Sequence, residues 1–196
     1  MNFNTPIGAT PILDEDLLGL KINTVQTLSE LNIAEESNIR KARLWSSKSR
    51  ILRSHLLDWK GIRELHRQMF GEVWKWAGQN RVVQTNIGCA PEKITENTAV
   101  MLHDVKYWIE NKVYPVDEIT IRFHHRLVEI HPFRNGNGRH ARRAAELLAA
   151  QLKGRTPTWG GDNLTSEGER RDKYLLALRN ADQGNYFDLS GFSFME

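Results

Sequence analysis

The chain has 196 residues, 40% of them hydrophobic and 26% charged, and a formal net charge of +3. That length can bury a sizeable core within one domain, and so small a charge does not by itself mark a nucleic-acid binder. The lone Cys89 excludes an internal disulfide and a cysteine-based zinc cluster. No apolar run reaches membrane-spanning length and no leader pattern opens the chain, so a cytoplasmic protein with no membrane partner is expected.

In chain order, residues 1–24 read as an irregular N-terminal arm. It holds T-P-I turns beginning at Thr5 and Thr10 and an acidic cluster of Asp14, Glu15 and Asp16. Residues 25–196 show no repeat or linker and read as a single domain. A first helix is expected over 26–46, with Leu28, Leu31, Ile39, Ala42 and Trp45 as a partial apolar face. Its basic run (Arg40, Lys41, Arg43, then Lys48, Arg50 and Arg53) reads as a solvated face, so nucleic acid is not an expected partner. A second helix spans 57–70, with Trp59, Ile62, Leu65, Met69 and Phe70 inward and Gly71 as its stop.

Residues 81–90 (R-V-V-Q-T-N-I-G-C-A) differ in kind. β-branched residues followed by Asn and Gly predict a short extended segment and a turn. A helix follows over 92–111, with Ile94, Val100, Leu102, Val105, Trp108 and Ile109 roughly on one side, until Tyr114 and Pro115 break it. An amphipathic helix is expected over 117–130 and another over 139–152. After a loop over 154–163, the last clear helix covers 166–181. Trp159 and Tyr174 are expected in the core, with a border on a nucleotide base as the other reading.

Between the two amphipathic helices lies H-P-F-R-N-G-N-G-R-H-A-R, residues 131–142. A glycine-rich turn that opens a helix exposes backbone N–H groups at the positive end of the helix dipole, which makes an anion nest. Gly136 and Gly138 leave those amides uncovered. Arg139 and Arg142 lie three apart on the helix surface and can reach one anion, as a di- or triphosphate would require. His131 precedes proline, which ends the preceding helix and leaves an imidazole at the mouth of the nest, where it can serve as a general base.

This stretch resembles the signature of the Fic family, H-x-F-x-[DE]-G-N-G-R-x-x-R, and matches every named position but one. Residues 70–81 (F-G-E-V-W-K-W-A-G-Q-N-R) resemble the family's W-A-G segment with its following arginine, and residues 174–186 resemble its closing helix. The likeness runs from about Leu56 onward. T-P-I-G-A-T-P-I-L-D-E-D and N-I-A-E-E-S-N-I resemble the branch called mobile mystery protein B, which is associated with a helix-turn-helix companion protein.

The resemblance implies an all-α fold, a Fic-type helical core with a small β-hairpin flap. It implies transfer of AMP from ATP, with Mg²⁺, to a Ser, Thr or Tyr hydroxyl of a target protein. By position, His131 would deprotonate the hydroxyl and Phe133 would anchor the loop. The amides around Gly136, Asn137 and Gly138 would hold the α- and β-phosphates. Arg139 would bind the phosphate chain and Arg142 the γ-phosphate. The flap, here Thr85, Asn86, Ile87 and Gly88, would pair with an extended segment of the target.

Asn135 departs from the family, which has an acid there to hold Mg²⁺. An amide oxygen lacks the charge that magnesium favours. A degenerate protein that binds nucleotide and acts through a protein partner is therefore the alternative reading. Finally, N-x-x-x-E-S at residues 32–37 loosely matches the family's inhibitory pattern [ST]-x-x-x-E-[GN]. That match would set Glu36 against Arg142; the other reading makes Glu35 and Glu36 solvated neighbours of Arg40 and Lys41.

Overall fold

The computed structural model describes residues 11–12, 14–161, 164 and 168–195. Among them the helices are α1 (Asp14–Leu17), α2 (Leu28–Lys48), α3 (Arg50–His55), α4 (Trp59–Phe70), α5 (Ile94–Glu110), α6 (Val116–Ile130), α7 (Asn137–Leu152), α8 (Glu169–Asp182) and α9 (Phe187–Ser193). The described residues form no strand ladder; isolated antiparallel bridges join Leu20 with Trp74 and Asn80 with Phe133. The expected helical architecture is therefore what forms.

Local chemistry sets several boundaries. Thr27 and Glu30 form a capping box that starts α2: the Glu30 amide donates to Thr27 Oγ1 (3.3 Å) and the Thr27 amide to Glu30 Oε2 (3.0 Å). Ser49 ends α2 and caps α3, accepting from the Leu52 amide (3.3 Å). The helix expected over 57–70 thus begins at Trp59, because α3 closes just before it. Pro115 opens α6, with Asp117 and Glu118 in its first turn at the positive end of the dipole.

The center is the pair α6 and α7, joined by the 131–136 loop and packed along each other. On α7, Ala141, Ala144, Ala145, Leu148 and Ala149 are all buried. This small-residue face lets α6 approach closely through Phe123, Leu127 and Ile130. α2 packs along α4, α5 covers α6, and α8 with α9 closes the other side. Trp74, Arg81, Phe70, Phe123 and Phe133 are the largest buried side chains.

Four expectations change. The arm is ordered from Asp14 onward: α1 forms, the Lys21 amide donates to Val73 O (2.8 Å), and the Lys75 amide donates to Gly19 O (2.8 Å). The first T-P-I turn lies outside the described residues, as do Asn163 and Ser166. Val100 is half exposed, on the outer side of α5. The helix α9 was not anticipated, because Ser190 and Gly191 interrupt its apolar pattern; Leu189 and Phe192 bury it.

Residues 81–90 form no β-hairpin, although they are non-helical as expected. Their backbone groups are spent elsewhere. The Arg81 amide donates to Pro132 O (3.0 Å) and the Cys89 amide to Ile130 O (3.4 Å). The carbonyls of Val83 and Cys89 accept from the Arg81 guanidinium. A ladder would need these groups to face one another.

Candidate active site

The 131–142 motif occupies the turn from α6 into α7. His131 caps α6 in the left-handed conformation (φ 54°). Its Nδ1–H donates to Val128 O (3.2 Å), which makes Nε2 the accepting nitrogen. Burial holds its pKa down to about 4, with a smaller push in the same direction from Arg81. The ring is therefore neutral at pH 7, the form a general base requires.

The loop is clipped from inside. Asn137 accepts from the Phe133 amide through Oδ1 (2.9 Å) and donates to Phe133 O through Nδ2 (2.8 Å). Its side chain is thus structural, while its backbone stays in the nest. Phe133 is fully buried and stacks on His66 at 3.8 Å between ring centroids. Gly136 sits at φ 78°, and a Cβ there would overlap the Phe70 ring, so glycine is required on both counts.

His66, which sequence reasoning passed over, supports this turn from beneath. Its Nε2 donates to Asn135 O (3.0 Å), and its Nδ1 accepts from the Gly78 amide (3.0 Å). Both bonds together require the neutral tautomer, and burial pushes its pKa well below the ordinary value. The W-A-G segment is thereby tied to the anion nest. Nothing in the local sequence marks His66; only its position on the inner face of α4 hints at burial.

The two arginines line one cavity with His131, Asn135 and Gly136. Arg139 crosses to α2, where its Nη1 meets Glu35 Oε2 at 2.6 Å. Glu35 is 3% exposed and also accepts from Trp74 Nε1 (2.7 Å). Arg142 lies over the Tyr174 ring, 5.5 Å from its centroid. Tyr174 hydrogen-bonds His124 Nε2 (2.9 Å), and burial raises the phenol's pKa against an opposing effect of Arg142.

Glu36, the expected partner of Arg142, is exposed and lines a second cavity, of about 1070 Å³, together with Arg139 and Arg142. One residue along a helix turns the side chain by about 100°, and the buried acid, Glu35, pairs with Arg139 and not with Arg142. His140 is buried and bonds Ile62 O (3.0 Å). Trp159 and Tyr174 are core residues. Of the flap residues, Ile87 reaches the cavity. Thr85 turns back to donate to Ile87 O (2.6 Å), and Gly88 lies against His131.

The cavity measures about 160 Å³, smaller than the roughly 300 Å³ at which small-molecule sites begin. Leu28, Leu31, Asn32 and Glu35 of α2 close one side of it. Apolar walls from Ile87, Val128, Leu175 and Leu178 continue into a neighbouring groove. A resident Mg²⁺ does not fit these residues. Asn135 Oδ1 is neutral and accepts from the Gly136 amide (2.6 Å), and the one carboxylate of the lining, Glu35, is held by Arg139 and Trp74. Among the described residues no group of three or more His, Cys, Asp or Glu converges.

The fold and this turn define a helical domain with a glycine-rich turn at a helix N-terminus and a neutral histidine beside it. Residues 56–149 match the Fic/DOC family. Over 131 residues the chain is 30% identical to a protein adenylyltransferase Fic of Drosophila grimshawi, covering 64% of this chain and 26% of that protein. Over 91 residues it is 33% identical to a probable protein adenylyltransferase of Sinorhizobium fredii, covering 42% of this chain and 47% of that one.

Two solved structures share the fold. Fic-1 of C. elegans (residues 134–508) has a TM-score of 0.61 at 23% identity, covering 88% of this chain and 49% of that one. The N-terminal Fic domain of a putative cell filamentation protein of Bartonella quintana, with bound ADP, has a TM-score of 0.66 at 15% identity, covering 87% and 86%. The chain thus carries a Fic domain of the Fic/DOC family over residues 56–149. It spans between a quarter and a half of the two curated relatives' lengths.

Proposed function

We propose that this chain transfers AMP from ATP to a hydroxyl of a target protein. The observation that carries the reading is His131: its Nδ1–H is committed to Val128 O, so Nε2 is the basic atom, and the ring lines the same cavity as the Gly136–Arg139 turn and Arg142. Nε2 accepts the proton of the target hydroxyl as the hydroxyl oxygen attacks the α-phosphorus. The bond from that phosphorus to the β-bridging oxygen breaks, and pyrophosphate leaves. The backbone amides and the two arginines hold the phosphate chain, which is most of what such a transfer needs. Magnesium would enter with the nucleotide, on its phosphates. The apolar walls around Ile87, Leu175 and Leu178 suit the base, and segment 82–89 would present the target. The names of the relatives, protein adenylyltransferases, support the same chemistry.

The domain as it stands is self-blocked in this reading. Glu35 holds Arg139, the residue assigned to the phosphate chain, and α2 narrows the cavity. A carboxylate in that position competes with a phosphate for the same guanidinium. The alternative of a nucleotide-binding protein without efficient turnover draws on Asn135, whose side chain covers one amide of the nest. The N-terminal resemblance adds a helix-turn-helix protein as a candidate partner.

The test is labelling from α-labelled ATP with Mg²⁺ or Mn²⁺, comparing wild type with His131→Ala, Asn135→Asp, Glu35→Gly and Glu36→Gly. Label that His131→Ala abolishes and Glu35→Gly increases supports transfer with release of the block. Glu36→Gly is expected to behave as wild type. Silence from every variant, with ATP still bound, would leave the nucleotide-binding alternative standing and the transferase reading refuted.

A further inference from the structure

Arg81 is 1% exposed, yet no carboxylate faces it among the described residues. Its acceptors are four backbone carbonyls. Nε donates to His131 O (2.7 Å), Nη1 to Val83 O (3.0 Å), and Nη2 to Cys89 O and to Ile130 O (3.4 Å). A charge buried without a counter-ion is costly, and hydrophobic side chains fill such space more cheaply. What a guanidinium adds is geometry. Its planar fork carries five N–H groups in fixed directions and spans carbonyls on two pieces of chain, whereas an ammonium offers three donors from a single point.

The carbonyls it holds belong to two pieces of chain. Val83 and Cys89 bracket the segment that reaches the cavity through Ile87; Ile130 and His131 form the end of α6. His131 there adopts a left-handed backbone that non-glycine residues rarely take, and Arg81 binds its carbonyl directly. Gly88, at φ 107°, comes so close that a Cβ would lie 2.5 Å from His131 Cβ and 2.7 Å from Arg81 Nη2. Backbone bonds from the Arg81 and Cys89 amides to Pro132 O and Ile130 O run alongside. Inside the segment Gln84 Nε2 donates to Gly88 O (3.3 Å) and Thr85 Oγ1 to Ile87 O (2.6 Å), but the Arg81 guanidinium binds both ends of the segment and the end of α6 at once.

We propose that Arg81 is a positioning residue for the transfer: its guanidinium fixes both ends of segment 82–89 to the backbone of His131, so that the base and the target-docking segment share one geometry. This rests on the reading of His131 as the base. Arg81 touches neither nucleotide nor target in this scheme. Its loss should therefore spare nucleotide binding and impair transfer, since small misplacement of a catalytic group costs rate steeply.

The experiment uses the full chain as wild type, Arg81→Lys, Arg81→Ala and Gly88→Ala, with three readouts: ATP binding by calorimetry, transfer from α-labelled ATP, and amide hydrogen exchange. Arg81→Lys is expected to bind ATP within about 3-fold of wild type while transfer falls about 100-fold. Exchange should rise in 82–90 and 130–133 and stay unchanged in the middle of α6 and α7. Millimolar methylguanidinium should restore transfer to Arg81→Ala by about tenfold or more, and methylammonium should not. Gly88→Ala keeps the guanidinium but forces the segment off His131, and should likewise lose transfer with ATP binding kept.

Wild-type transfer by Arg81→Lys would overturn the proposal. So would loss of ATP binding in parallel with transfer, with faster exchange in every helix, because that pattern belongs to a residue that only stabilises the fold. Should Arg81→Ala not fold, Arg81→Lys and Gly88→Ala decide the matter. Should the wild type itself transfer nothing, the function proposed above falls. The coupling of Arg81 to His131 would then be judged on exchange alone: a rise confined to the two segments upholds it, and no rise or a uniform one removes it.

Discussion

Glu35 and Glu36 are adjacent acids that a sequence motif cannot rank, and burial ranks them. Glu35 is bonded to both Arg139 and Trp74, so Glu35→Ala leaves a partly buried guanidinium and an indole N–H without their acceptor. It should cost about 3 kcal/mol, while Glu36→Ala should stay within about 0.5 kcal/mol; chemical denaturation of the two variants checks this. The same burial governs His131. Because its pKa is held to about 4, transfer should persist well below neutrality, and kcat/KM should fall tenfold per pH unit only below about 4. An acid limb near the ordinary 6.5 would show that the ring is solvated in the working protein.

At the scale of elements, the start of α7 carries the cradle, and its two glycines differ. Gly136 is left-handed and pressed on Phe70, so Gly136→Ala should destabilise by about 2–4 kcal/mol. Gly138 is helical, and the one atom near a Cβ there is Arg142 Nη1 at 3.6 Å. Gly138→Ala should therefore leave the fold as stable as wild type or raise it by up to about 1 kcal/mol. If the amides there hold phosphate, it should nonetheless weaken ATP binding. Thermal melts with and without ATP separate the two effects. The turn, the flanking helices and the histidine at its mouth were legible because a motif of fixed spacing is local to one stretch of the chain. The partners Glu35, His66 and Arg81 were not, because they reach the loop from about 50 to 100 residues away in sequence. No periodicity on α2, α4 or segment 81–90 reports that distance.

For the molecule as a whole, four histidines are packed inside in neutral form. Burial puts His124 at about 3 and His131 and His140 at about 4, and lowers His66 well below its ordinary value. On unfolding each would titrate near 6.5, so below that pH the unfolded chain takes up protons that the folded chain refuses. The stability they contribute is complete above about pH 6.5 and is lost progressively as pH falls toward 4, on the order of 3 kcal/mol for a group shifted from 6.5 to 4. Urea titrations at pH 7.5, 6, 5 and 4 should show that decline; a flat profile across the window would mean that these rings are solvated. The sequence by itself determined the helical class and the helices that flank the glycine-rich turn, since amphipathic periodicity and a short motif are local properties. The tertiary structure alone decided that Glu35 is the acid that pairs with Arg139, that segment 81–90 is tied to the end of α6 through a guanidinium, and that His140 is buried. Each of these turns on which face of one element meets which face of another, and that is settled only when the whole core packs.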